Sequence, residues 1–164
     1  MNPDQYKQFL DCQRKLYRFA LSIIKNVRDA EDVYQETIVK IWQLKAEWGS
    51  WKNFEAYTMS MVHNACLNFI KKNTSRVYVA LDDVTEVPEQ NETDKNAVLT
   101  DLRMRFNSLI SKLPEIQRNI LYLREIEEME YKEICEILGI TEAKVKVYLF
   151  RGRQYLKNKV NGKR

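Results

Sequence analysis

One histidine and three cysteines are all the imidazole and thiol ligands this 164-residue chain possesses, and they do not cluster. Cys12, Cys66 and Cys135 are odd in number, far apart, and set in apolar helical patterns, which describes buried thiols in a reducing compartment and not a disulfide frame. His63 and Cys66 stand three apart, but no second ligand pair follows, so no metal site or other cofactor is expected. No phosphate-binding glycine loop, nucleophile elbow or paired catalytic carboxylate set occurs, and His63 has no acid partner in sequence; these absences argue against an enzyme. No stretch of about 18 apolar residues is present and the first ten residues carry no uninterrupted apolar run, so membrane insertion and export are not expected and the cytoplasm is the expected location. Alternating strand patterns and internal repeats are missing as well.

What the chain does have is helical periodicity and segregated charge. Lys and Arg total 27 against 23 acids, a mild excess that alone says little about partners. Its placement says more. From Thr141 to Arg164 eight basic residues face a single acid, Glu142, whereas Asp82 to Asp94 holds six acids and no base.

Tyr6, Phe9, Leu10, Leu16, Tyr17, Ala20, Ile23 and Ile24 recur at three-and-four spacing, which predicts an amphipathic helix from about Pro3 to Lys25. Asp29 is placed to cap a second helix that buries Val33, Tyr34, Ile38, Ile41 and Trp42 and ends near Gly49. A third runs from about Asn53 to Lys72, with Phe54, Thr58, Met61, Val62, Ala65 and Phe69 inward and Ser60, His63, Asn64, Asn68, Lys71 and Lys72 outward. Asn73 to Asn96 is acidic, interrupted by Pro88 and without helical period, and reads as a flexible linker. Leu102, Phe106, Leu109, Ile110 and Leu113 then mark a fourth helix, and Pro114 suits the first turn of a fifth carrying Ile116, Ile120, Leu121 and Leu123. The expected architecture is all-α: a helical domain over 1–72, an acidic linker over 73–100 and a second helical domain over 101–164.

Tyr131 to Leu156 is the most informative stretch. Ile134, Ile137 and Leu138 form the inner side of a short helix, Gly139 supplies the backbone freedom needed at its end, and Thr141 can cap the next helix. This is the helix-turn-helix pattern of a DNA reader. At 100° per residue Val145, Leu149, Gly152 and Leu156 fall inward. Lys144, Lys146, Val147, Phe150, Arg151 and Gln154 point outward, offering cations for phosphates, polar groups for base edges and apolar surface for thymine methyls. An isolated domain gains little from Phe150 on the polar side of a basic helix; a surface made for a partner accounts for it.

These residues resemble bacterial sigma factors of the extracytoplasmic-function group, the small two-domain members of the sigma-70 family. Leu113-Pro114-Glu115, Tyr131 with Glu133-Ile134, Leu138-Gly139-Ile140, Val145-Lys146 and Arg151-Gly152-Arg153 match the fourth conserved region in order and spacing. Asp29-Ala30-Glu31-Asp32 with Gln35-Glu36 and Trp42 is similar to the second region, and the helix through Asn64 to the segment that opens the minus ten element. Departures occur. Tyr57 stands where the family usually has Trp, Asn68 where Asp is common, and Lys71 and Lys72 where Arg is common. In the reading helix Ala143, Lys144, Val147 and Tyr148 replace the more usual Gly, Thr, Ser and Arg.

The resemblance implies that Asp32, Gln35 and Glu36 dock on the clamp helices of core RNA polymerase. It implies that Trp51, His63, Asn64, Asn68, Lys71 and Lys72 meet single-stranded minus ten DNA, and that Lys144, Lys146, Val147, Tyr148, Phe150, Arg151 and Arg153 meet minus 35 promoter DNA. Trp51, Phe54 and Tyr57 can offer ring faces to unstacked bases, although Phe54 is also a natural core residue. The acidic linker would thread the polymerase's RNA path, and an anti-sigma factor would hold the protein inactive. The main alternative is a stand-alone helix-turn-helix repressor or activator, which would normally dimerise and would have no use for Asp32, Gln35 and Asn64. A helical adaptor working through protein contacts alone leaves the basic C-terminal segment unexplained.

Overall fold

A computed structural model describes residues 2–74 and 94–162, and every element among them is helical. The acidic residues Asp82, Asp83, Glu86 and Glu89 of the expected linker lie outside that range. The chain forms two compact units, one built on α1 (Pro3–Ile24), α2 (Val27–Gln43) and α3 (Phe54–Lys72). The other holds α4 (Asp94–Ile110), α5 (Glu115–Leu121), most of α6 (Tyr131–Leu138) and α7 (Glu142–Asn161). Helix α4 therefore starts inside the range 73–100 expected to be linker. Val98, Leu99 and Leu102 are exposed on α4, so Leu102 does not join the core it was expected to line.

In the first unit the three helices pack against one another in every pairing. Leu16, Phe19 and Ala20 of α1, Ala30, Val33 and Ile41 of α2, and Met59, Val62 and Cys66 of α3 are buried together with Trp48. Each fully buried Leu or Phe side chain contributes about 1.5–3 kcal/mol, enough for this layer to fix the helices' relative placement. Tyr6 and Leu10 sit at the surface instead of in the core, because the inward stripe of α1 runs through Phe9, Cys12, Leu16, Phe19 and Ile23. Trp48 donates its indole N–H to the Ile41 carbonyl at 3.0 Å, and Lys15 pairs with Glu55 across α1 and α3.

The cap of α2 is Asn26, not Asp29. Asn26 Oδ1 accepts the Asp29 N–H at 2.9 Å, leaving Asp29 as an acid in the first turn, where the helix dipole favours it. The helix ends at Gln43, earlier than expected, and a 3-10 segment, Lys45–Ser50, carries the chain to Trp51. Asn53 caps α3 by accepting the Ala56 N–H at 2.9 Å.

In the second unit α5 lies against α7. Ile120, Leu121, Leu123, Ile134, Val145 and Leu149 are fully buried, as the apolar spacing predicts. Pro114 stands one position before α5, as its N-cap. After α5 the chain continues as a π-helical turn, Tyr122–Ile126, closed by a Tyr122 hydroxyl donating to Glu127 at 3.0 Å and Arg124 donating to the Met129 carbonyl at 2.8 Å.

Candidate nucleic-acid and polymerase interfaces

The turn between α6 and α7 is built as its residues require. Gly139 has φ 67° and its N–H returns to the Cys135 carbonyl at 2.9 Å, a left-handed helix end that suits glycine. Two residues on, Thr141 caps α7 by accepting the Lys144 N–H. Val145, Leu149 and Gly152 are buried, and that fixes which side of α7 faces out.

The outward side carries Ala143, Lys144, Lys146, Val147, Phe150, Arg151 and Gln154, all exposed. Phe150 is 64% and Val147 47% accessible, high values for apolar side chains in a folded unit. Tyr148 is half-buried, with the Arg151 guanidinium 5.9 Å from its ring centre. Lys146 Nζ lies 3.4 Å from Glu142, an exposed pair of little energetic weight that leaves the cation available. Arg153 differs from its neighbours. Its Nη2 and Nε sit 2.7 and 2.8 Å from Glu125 Oε1, so its guanidinium is engaged within the protein.

On α3, Asn64, Asn68, Lys71 and Lys72 are exposed as expected. His63 is not. It is 8% accessible and stacks on Phe19, with ring centres 6.3 Å apart. The buried arc of α3 is wider than the predicted stripe and rotated toward Ala56, Met59, His63 and Cys66, whose spacings of three and four carried the signal. The same rotation moves Tyr57 outward, onto one stripe with Asn64, Asn68 and Lys71. Trp51 stacks on Tyr57 at 4.1 Å between ring centres, 25° from parallel. Phe54 is core, packed edge-on to Trp48 at 5.2 Å.

On α2, Asp32, Gln35 and Glu36 are exposed on one side. The stripe continues into Val39, 54% accessible, and Trp42, which lies at the surface with Tyr6 against its edge at 6.3 Å and the Lys45 ammonium 4.5 Å over its ring. Trp42 had been expected inside; the α1–α2 seam closes above it with Phe9 and Trp48, whose rings stack at 5.1 Å.

Two helical units, one ending in a helix-turn-helix with a cationic outer face, define a modular DNA-binding protein. Residues 9–76 match the family described as Sigma-70 region 2 and residues 103–156 match Sigma-70, region 4. The ECF RNA polymerase sigma factor SigM of Bacillus subtilis is 30% identical over 142 residues, covering 87% of this chain and 86% of SigM. SigW of the same organism, also an ECF sigma factor, is 24% identical over 96% of this chain and 89% of its own length. The sigma factor RpoE of Bartonella quintana, solved in complex with the anti-sigma factor NepR, shares the fold with a TM-score of 0.74 at 22% identity, over 99% of this chain and 100% of RpoE. The chain belongs to the sigma-70 family, as an ECF RNA polymerase sigma factor. It directs transcription from promoters, and the stand-alone repressor or activator is set aside by a second-region unit that such a protein would not need.

Proposed function

We propose that the two units divide promoter recognition between them. Helix α7 enters the major groove at the minus 35 element, with Lys144, Lys146 and Arg151 on phosphates or base edges and Val147, Tyr148 and Phe150 among the contacts. The outer stripe of α3, Asn64, Asn68, Lys71 and Lys72, meets single-stranded minus ten DNA beside the stacked rings of Trp51 and Tyr57. Asp32, Gln35 and Glu36, extended by Val39 and Trp42, dock on core RNA polymerase. Catalysis belongs to the polymerase. His63 has a packing role in this scheme and Arg153 a bracing one.

The observation that carries the reading is the outward face of α7, where three cations and one amide surround exposed Ala143, Val147 and Phe150 while Val145, Leu149 and Gly152 on the opposite face are buried. An anti-sigma factor as regulator is extended to this chain from the RpoE complex. Among the described residues no helix is long and apolar enough to cross a membrane.

Run-off transcription with core polymerase on a promoter library tests it. The expected result is transcripts that depend on this chain and share two spaced sequence elements. A protein that binds palindromic sites as a dimer without polymerase, and yields no transcripts with it, would overturn the proposal.

A further inference from the structure

We infer that Ala143, Val147 and Phe150 form an apolar reading strip on α7 that selects thymine methyl groups in the minus 35 element. The inference rests on the placement of α7 in the major groove. Spacings of four and three put the three side chains on one side of the helix, and all three are exposed. At 1.5 Å per residue the strip is about 10 Å long. That length covers roughly three base-pair steps of 3.4 Å. Viewed down the axis, Lys144 and Arg151 flank it on one side and Lys146 on the other. Cations on both borders fit a polyanion whose strands run along both sides of a groove, and they fit an apolar protein partner poorly.

The chemistry of the strip then limits what it can read. Alanine, valine and phenylalanine neither donate nor accept hydrogen bonds, so they cannot replace the water removed from the O6 and N7 of guanine or the amino group of cytosine. The C5 methyl of thymine is the one apolar group exposed in the major groove, and contact with it leaves no polar atom stranded. Selection therefore acts twice, by attraction to T·A pairs and by the penalty at G·C pairs.

The test uses the full chain with core polymerase, on a duplex promoter recovered from the library. Each thymine of the minus 35 element is replaced singly by deoxyuridine, which removes only the methyl group. Two or three positions should each lose roughly fourfold in affinity, the weight of one buried methyl group. In Val147→Ala or Phe150→Ala the loss at one of those positions should vanish. Lys146→Gln and Arg151→Gln report separately on groove placement, through a shallower salt dependence of binding. Shallower slopes with no deoxyuridine effect at any position would overturn the methyl reading and leave the groove placement standing. Unchanged slopes together with no deoxyuridine effect would remove both. Recovered minus 35 elements without thymine on either strand would also overturn it. So would a Phe150→Ala variant that keeps every deoxyuridine effect and instead weakens binding to core polymerase without DNA, since the ring would then seat a protein.

Discussion

Arg153 and Glu125 are joined through one carboxylate oxygen, with the guanidinium Nη2 at 2.7 Å and Nε at 2.8 Å from Glu125 Oε1. The pair ties the fourth turn of the reading helix to the π-helical turn after α5. Both side chains are partly exposed, so the bond is worth about 0.2–1 kcal/mol, enough to orient but not to hold the fold. The family resemblance implies that Arg153 meets DNA. Its partner lies 28 residues upstream, a distance that local pattern cannot bridge.

The expected consequence is a separation of salt effects. Arg153→Gln should leave the slope of log binding constant against log salt unchanged, while Lys146→Gln and Arg151→Gln should each reduce it by about 0.9 if each meets one phosphate. Arg153→Gln and Glu125→Gln should lower stability by similar small amounts and fail to add when combined. A full unit of lost slope in Arg153→Gln would show that the arginine leaves Glu125 for the backbone of DNA.

Gly152 is fixed by packing. A Cβ built there would stand 2.7 Å from Leu121 Cδ1 and 2.9 Å from its Cγ, and Leu121 is fully buried. Gly152→Ala should therefore cost about 1–3 kcal/mol of unfolding free energy despite the better helix propensity of alanine. Denaturant midpoints would show it. Leu121→Ala in the same chain should make room, so the double variant loses less than the two single losses added together. Additive losses would place the cause elsewhere.

The second unit was more legible in the sequence than the first. Gly139, Thr141, Val145, Leu149 and Gly152 each carry a local rule, of cap, turn or helical period, and those rules agree. The all-α class and the helix-turn-helix followed from them. In the first unit competing signals had to be ranked. Asp29 satisfies the cap rule by residue type, yet the Asp29 N–H bonds to Asn26, which the rule favours equally and which holds the position. On α3 the buried arc takes in a histidine, a threonine and alanines beside apolar residues, so a hydrophobicity stripe misjudges its centre and sends His63 outward. Tyr6, Leu10 and Trp42 look like core residues by composition, but the inward stripes run through Phe9, Cys12 and Leu16 on α1 and through Val33, Thr37 and Ile41 on α2, which leaves all three at the surface.

Two buried thiols make stability fall in alkali. Burial pushes Cys66 from the ordinary thiol value of 9.0 up to about 12, and burial with nearby Glu55 pushes Cys12 to about 11. Between those values the folded chain binds more protons than the unfolded chain, so unfolding free energy is intact below pH 9 and declines from about 9 to about 12. Tyr34, raised by burial from 10.0 to about 12, acts in the same direction. Urea titrations across that range should show the decline, with a shallower one in Cys66→Ala. Alkylation at pH 8 should label half-buried Cys135 before Cys12 and Cys66, which react only as the fold opens. Equal labelling rates in the native protein would contradict the buried placement.

The stacked pair Trp51 and Tyr57 should matter for opening DNA and not for finding it. The two rings lie 4.1 Å apart on the outer side of the first unit, where Tyr57 shares its stripe with Asn64, Asn68 and Lys71. Because each ring covers one face of the other, an unstacked base can lie only on a face the pair leaves open, and the covered contact serves to hold both rings flat. A base on an aromatic ring is worth about 1–3 kcal/mol, so removing the platform should lower the open-complex equilibrium roughly 5-fold to 150-fold. Duplex binding should be unaffected, since α7 and its cations are untouched. Tyr57→Ala and Trp51→Ala should each show this split in permanganate reactivity of minus ten thymines against gel-shift affinity for closed duplex. Tyr57→Trp should retain opening, because a larger ring keeps the stack. An equal fall in duplex affinity and opening would mean that the rings only hold α3 in place, and the change in thermal stability of the free protein would then track the loss.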